Sequence, residues 1–471
     1  MDTFLHWLQH ETSGLLTLCA VGIAVLLLMI IKFRIEPFIA LIVSGLLIAL
    51  AAGLSVQEIV GTAQKSSESL LEGGFAGILG HITAIVGLGT ILGSMLEASG
   101  GAQLLTRRLL AAFGERRAPL AMGLSGLVFG IPVFFDIGIF VLAPLVYVVA
   151  RQGKRSILLY CLPLVAGLSM THAFLPPHPG PVVAAGLLGV DLGWVILMGF
   201  ACGIPAFIAS GLLYPVWIGN RIHLPVPEDM LAAADAVAEK NAAEGRRDPS
   251  LGTVGFIIGL PMVLILGATF GSVTLPKGST ALNVLTFFGN PTVALTIAVL
   301  LSFWLLGTRR GMTGKEISEL TGAALRPLGM ILLVIGAGGF FGKVLAETGV
   351  GEALAGSLQS TGLPVLVSAY VISSGLRIAQ GSATVAIVTT GGIIAPLLHA
   401  GDYSQAQLAL IAVAIAAGSI IASHVNDGGF WIISRYFGIP VKDMLKSWTV
   451  LETILSVVGF AMAALLSALV P

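Results

Sequence analysis

Four short stretches carry most of the residues in this chain that could do chemistry. They read GIPVFFDIG (130–138), THAFLPPHPGP (171–181), GLRIAQGSATVAIVTTGG (375–392) and SHVNDGG (423–429). Asp136 stands among apolar residues, where an ionisable group usually faces a cavity. It either handles substrate or a proton, or caps the helix that follows it. Gly381 lets the backbone turn, and Ser382 and Thr384 then open a returning helix. Free N–H groups and the helix dipole at such an end favour an anion. Arg377 could pair with a carboxylate or bond the carbonyls of the same turn. Gln380 and Thr171 offer polar groups beside these turns. Gly180 opens another helix start, and Asn426 and the loop amides can hydrogen-bond hydroxyls. Histidine titrates near neutral pH, so His172, His178 and His424 join Asp136 and Asp427 as candidate proton carriers. For any single histidine, a hydrogen-bonded interior role is the competing reading. Glu72, His81 and Lys343 are weaker candidates, Lys343 being placed to snorkel from a helix end.

These residues must be positioned by elements in lipid. Of 471 residues, 56% are hydrophobic and 10% charged, against about 25% charged in a soluble domain. Mean hydropathy is +0.98. Such a chain cannot cover a water-facing surface. It reads as an integral membrane protein, and secreted enzymes, nucleic-acid binders and disordered scaffolds are excluded. The charges balance at 24 basic and 24 acidic residues, so no polyanionic partner is indicated. Cys19, Cys161 and Cys202 lie singly in apolar runs and read as small fillers. Residues 1–13 lack Lys and Arg, so no signal peptide is expected.

A spanning helix needs about 20 apolar residues. Ten stretches are expected to span: 15–31, 37–54, 78–97, 157–171, 193–218, 251–270, 291–306, 324–342, 405–423 and 447–470. Four apolar stretches broken by Gly, Pro or polar residues read as hairpins or half-helices: 118–150, 172–190, 363–398 and 424–438. Broken backbone at membrane depth must be buried in protein or line a cavity. Lys and Arg cluster in loops that this arrangement puts on the cytoplasmic side, with both termini outside. The polar stretch 220–250 reads as a cytoplasmic tether.

The two halves are similar at an offset of 249 residues: LGHITAIVGLGTILGSMLEASG (79–100) matches LGMILLVIGAGGFFGKVLAETG (328–349). The register returns at Gly180/Gly429 and Gly189/Gly438, and places His178 over Asp427. Each half, 1–219 and 251–471, then holds five spans, a hairpin and a half-helix. An odd number inverts the second copy. The expected fold is an all-α polytopic membrane protein with two inverted repeats and discontinuous helices, the architecture of many secondary transporters.

There is no GxxxxGK[ST], no HExxH and no nucleophile–base pair, so an enzyme or an ATP-driven pump is not expected. No cofactor and no metal is expected either, since His172 and His178 lack further ligands.

LPPHPGPVVAAGLLGVDLG (175–193), LRIAQGSATVAIVTTGG (376–392) and SHVNDGGFWIISRYFGI (423–439) resemble the gluconate permease family, within the ion-transporter superfamily. The resemblance covers essentially the whole chain. It implies a proton symporter of the bacterial inner membrane for gluconate or a related small hydroxylated carboxylate. It also implies a homodimer with hairpin-bearing domains that move in an elevator fashion. Related members carry idonate, fructuronate or D-serine, and a sodium-coupled carboxylate carrier is the remote alternative.

Overall fold

The computed structural model describes residues 2–62, 69–153, 155–226, 249–326, 328–350, 353, 363–398, 401–425 and 427–470. Among these the chain is helical, with no strand. That follows from lipid chemistry: a helix satisfies its own backbone polar groups, and an open sheet edge does not.

The first half runs α1 (Asp2–His10), α2 (Thr12–Ile31), α3 (Pro37–Ala51), α4 (Val56–Val60), α5 (Leu70–Ala98) and α6 (Gly101–Phe113). It continues with α7 (Ala118–Gly130), α8 (Phe135–Gly153), α9 (Leu158–Phe174), α10 (Pro179–Leu188) and α11 (Leu192–Gly219). The second half runs α12 (Leu251–Thr274), α13 (Thr280–Gly289), α14 (Pro291–Arg310), α15 (Gly314–Leu325) and α16 (Leu328–Glu347). It ends with α17 (Val365–Gln380), α18 (Ala383–Leu398), α19 (Gln405–Gly418), α20 (Gly428–Tyr436) and α21 (Val441–Ser467).

Among the described residues, nine helical stretches are long and apolar enough to cross a membrane. The difference from ten has local causes. Stretch 37–54 forms a helix of 15 residues. Stretch 405–423 forms one of 14, because the chain leaves the helix at Ser419 and passes Ala422 with φ +49°. Conversely, α8, the second arm of the broken segment 118–150, is 19 residues long and qualifies by length. The sequence reading does not anticipate helices α1, α4, α6, α13 and α15. α6 and α15 carry Arg107, Arg108, Lys315, Glu316 and Glu319, so an apolar-run criterion passes over them. The tether 220–250 and the side chain of His81 lie largely or wholly outside the described residues.

The four broken stretches are broken where expected. α7 stops at Gly130 and α8 starts at Phe135. α9 stops at Phe174 and α10 starts at Pro179. α17 stops at Gln380 and α18 starts at Ala383. α19 stops at Gly418 and α20 starts at Gly428. Helix starts recur along the chain: α10 and α20 begin 249 residues apart, and so do α11 and α21.

Lipid tails are as apolar as leucine, so helices here associate by close packing over small residues. The matched segments α5 and α16 lie against each other, and glycines set their approach. A Cβ on Gly336 would stand 2.3 Å from the Phe75 ring, and one on Gly339 2.6 Å from the Gly74 carbonyl. On the other side of α16, a Cβ on Gly342 would stand 2.9 Å from the Gly392 Cα of α18. α9 is the innermost helix, with almost every residue from Leu158 to Phe174 buried against α7, α8, α11 and α21. A second apolar cluster joins α2, α3 and α16 around Phe340 and Phe341.

Candidate functional site

The helix breaks come together around α9 and α21. Each leaves backbone groups that a continuous helix would have paired, and side chains from distant parts of the chain meet them.

Arg377 lies in the last turn of α17, 4% exposed. One guanidinium nitrogen donates to the Gly381 carbonyl. The other, Nη2, lies 2.5 Å from Asp427 Oδ2. A cation at a helix C-terminus is favoured by the dipole, and Gly381, with φ +83°, ends the helix in the left-handed conformation that costs glycine least. Asp427 is the N-cap of α20: its Oδ1 accepts from the Gly429 amide at 2.9 Å. Ser423 also donates to Asp427, and its own hydroxyl oxygen accepts from Trp448 Nε1 at 2.7 Å. Thr449 Oγ1 donates to the Ser423 carbonyl. The pair Arg377–Asp427 is thus built into both broken segments of the second half and anchored to α21.

His178 is the N-cap residue of α10. Its Nε2 donates to the Gly130 carbonyl at 2.6 Å, pairing the last carbonyl of α7. The same bond places the proton on Nε2. His172, at the end of α9, has its ring 4.7 Å from that of His178. Phe134 lies 5.8 Å from His178 and 6.0 Å from His172. Phe135 reaches the other way, 5.7 Å from Trp448. The tip between α7 and α8 therefore touches both the first-half and the second-half breaks. Asp136 follows in the first turn of α8, exposed, and near enough to Asp427 for the two carboxylates to repel.

The remaining expected residues are placed as follows. Gly180 lies in the first turn of α10 against Ile387 of α18. Ser382 Oγ accepts from the Val385 amide at 3.4 Å, and Thr384 is half-buried in the first turn of α18. Thr171 donates to carbonyls of its own helix and is covered by Gly130. His424 Nδ1 is 2.8 Å from the Ala422 carbonyl. Asn426 and the Gln380 side chain lie outside the described residues.

One residue of this neighbourhood escaped the sequence reading. Glu452 lies within α21, 2% exposed, and its Oε2 accepts from Ser169 of α9 at 3.1 Å. The signal was present, an acid inside an apolar span, but no Gly or Pro interrupts the helix around it. Several buried polar atoms here have no hydrogen-bond partner among the described residues: Arg377 Nε, Glu452 Oε1, His172 Nδ1, and the hydroxyls of Ser374, Thr389 and Thr390. Buried polar atoms are ordinarily paired, so Arg377 Nε and Glu452 Oε1 retain hydrogen-bonding capacity that the described residues do not use. By contrast, an apolar crevice nearby, lined by Ile131, Pro132, Pro176, Pro177, Ile258 and Pro291, offers a hydroxylated anion nothing to bond. Among the described residues no group of His, Cys, Asp and Glu has the geometry to hold a metal ion.

Comparison with known proteins bears on family and fold. Residues 14–470 match the model of the GntP family permeases. The chain is 42% identical over 455 residues to an inner membrane permease, YgbN, of Escherichia coli, covering 96% of this chain and 98% of that one. It is 38% identical over 449 residues to the low-affinity gluconate transporter of the same organism, covering 95% and 97%. Among solved structures, Neisseria gonorrhoeae MtrF superimposes with a TM-score of 0.56 at 16% identity, covering 98% of this chain and 96% of that one, a likeness of fold.

Proposed function

The chain belongs to the GntP family of permeases, and on that premise we propose that it imports gluconate, or a related small hydroxylated carboxylate, by proton symport. It is a multi-pass protein of the inner membrane, and the relatives it matches are permeases and transporters. The observation that carries the substrate reading is the guanidinium of Arg377, buried at a helix break, with Nε unpartnered among the described residues. A planar donor with one edge open suits a carboxylate. The N-terminus of α18, at Ser382–Thr384, adds amides and dipole to the same side. Gly180 brings a second helix start close, and the sugar hydroxyls are assigned to Thr171, Gln380 and Asn426 as hydrogen-bonding groups.

The helix breaks offer Asp136, His172, His178, His424 and Asp427 as candidate carriers of the coupled proton. One proton with one singly charged anion moves no net charge, and a gradient of one pH unit then sustains about tenfold accumulation. The sequence repeat supports two inverted halves, 1–219 and 251–471, joined by 220–250. Alternating access follows if the hairpin-bearing elements move against the spans that flank them, in an elevator motion within a homodimer.

Uptake of labelled gluconate into vesicles, with and without a pH gradient, tests the reading. Uptake is expected to collapse with the gradient; a response to sodium instead would replace the coupling ion. Competition by D-serine stronger than by gluconate would replace the substrate. Ser382→Ala with Thr384→Val is expected to weaken apparent affinity several-fold, and an unchanged affinity removes the α18 N-terminus from the carboxylate site.

A further inference from the structure

Glu452 stands apart from the helix breaks, yet the structure ties it to them. On α21, Trp448, Glu452 and Ser456 follow at intervals of four and share one face. Trp448 bonds Ser423 beside Asp427, Glu452 bonds Ser169 of α9, and Ser456 Oγ lies 3.1 Å from the Tyr370 hydroxyl of α17. Glu452 thus sits where α9, α17 and the loop before α20 meet. Its Oε1 is buried and has no partner among the described residues.

The surrounding charges are few. Arg377 and Asp427 are close enough to act on Glu452. α9 contributes Ser169 and, one turn on, His172. α19 carries no Asp, Glu, Lys, Arg or His. α11 carries none either, and its titratable groups are Cys202 and Tyr214, the latter bonded to the Lys446 carbonyl about two turns away on α21. Arg435 and Tyr436 of α20 lie at the end of that helix remote from Asp427.

Resting on the proton-symport reading, we propose that Glu452 is the side chain that binds and releases the coupled proton. Asp427 is poorly suited to it, because Arg377, Ser423 and the Gly429 amide already engage its two oxygens as a carboxylate. His178 has its Nε2 proton committed to Gly130. Glu452 has an open oxygen. A proton from water on the outer side forms an O–H bond at Oε1, and the bond from Ser169 to Oε2 persists. The substrate carboxylate then approaches Arg377 with one negative charge fewer around it, Asp427 and the nearby Asp136 being the carboxylates that remain. After the anion leaves inside, the O–H bond breaks and the proton passes to water. The empty site holds Arg377⁺, Asp427⁻ and Glu452⁻. The loaded site holds Arg377⁺, Asp427⁻, neutral Glu452 and the anion. Both sum to one negative charge, so loaded and empty strokes move the same charge through the membrane field.

The test uses the full chain in proteoliposomes, with Glu452→Gln, an isostere of the protonated acid whose amide oxygen still accepts from Ser169. Wild type is expected to accumulate labelled gluconate about tenfold under one pH unit. Glu452→Gln is expected to exchange gluconate for gluconate at a rate independent of pH and to show no accumulation. Accumulation equal to wild type overturns the assignment. Loss of exchange together with accumulation, in protein that remains monodisperse, also overturns it, since the residue is then structural. If Glu452→Gln does not fold, Glu452→Asp is measured; a pH profile of uptake identical to wild type overturns the assignment. A wild-type protein that does not respond to the pH gradient sinks the symport reading itself, and the assignment with it.

Discussion

Arg377 and Asp427, fifty residues apart in the chain, form an ion pair, the arginine buried and the aspartate half-buried, that joins the C-terminus of one broken helix to the N-terminus of another. Each charge is also satisfied by backbone: the Gly381 carbonyl for the arginine, the Gly429 amide for the aspartate. The pair fixes the relative placement of α17, α18 and α20. It also keeps the one deeply buried guanidinium of the cluster aimed at the site.

Removing Asp427 leaves the arginine charged and buried, which costs up to about 3–5 kcal/mol; removing Arg377 leaves a half-buried carboxylate and costs less. Arg377→Gln and Asp427→Asn are each expected to lower the melting temperature of detergent-solubilised protein by several degrees. The double variant is expected to recover most of that loss while gluconate binding stays abolished. Thermal unfolding with a binding titration on the three variants checks this, and additive losses would show that the pair is not coupled.

His178 holds the α7 carbonyl end to the α10 N-terminus through Nε2. His178→Ala leaves the Gly130 carbonyl buried without its donor, a loss of about 1–3 kcal/mol. His178→Gln supplies an N–H and is expected to restore at least half of wild-type stability and coupled uptake. If Gln folds normally yet transports without coupling, the imidazole is a proton carrier after all.

Trp448→Phe keeps an aromatic ring but deletes the pyrrole part of the indole, and with it the N–H that bonds Ser423. A neutral hydrogen bond contributes about 0.5–1.5 kcal/mol, so KM for uptake is expected to rise about two- to tenfold with kcat little changed. Initial-rate uptake kinetics decide it. A fall in kcat at constant KM would place the bond in the moving step and not in the binding geometry.

Glycines differ in what they do. A Cβ on Gly126 of α7 would meet the Leu164 carbonyl of α9 at 2.1 Å, and backbone cannot step aside. Gly126→Ala is expected to destabilise the protein by about 1–3 kcal/mol, the usual range for overpacking. Gly259→Ala on α12 meets nothing within 4 Å and is expected to be neutral or stabilising, since Ala is the better helix former by about 1 kcal/mol. Melting temperatures of the two variants check the contrast.

Where helices stop was legible in the sequence, because stopping is local chemistry. Proline lacks an N–H, and glycine reaches positive φ cheaply. Pro132, Pro176, Pro177, Gly381 and the Gly428–Gly429 pair therefore marked the four breaks to within a few residues. Length was less legible. The turn at Ser419–Ala422 follows from packing as much as from local preference, so 405–423 read as longer than the helix it forms.

Composition and spacing determined that this chain lives in a bilayer, that it is helical, and that four interrupted segments hold its polar chemistry. Lipid compels each of those statements from one residue or one short run at a time. Only the tertiary structure decided which charges face one another. It paired Arg377 with Asp427, gave His178 a carbonyl of another helix, and brought Glu452 beside Ser169 across 283 residues. Glu452 sits in a regular helix, where its being an acid in an apolar run marks it but no helix break does. Its partners lie on other helices, and a partner's position depends on how whole helices pack, which no short stretch of sequence encodes.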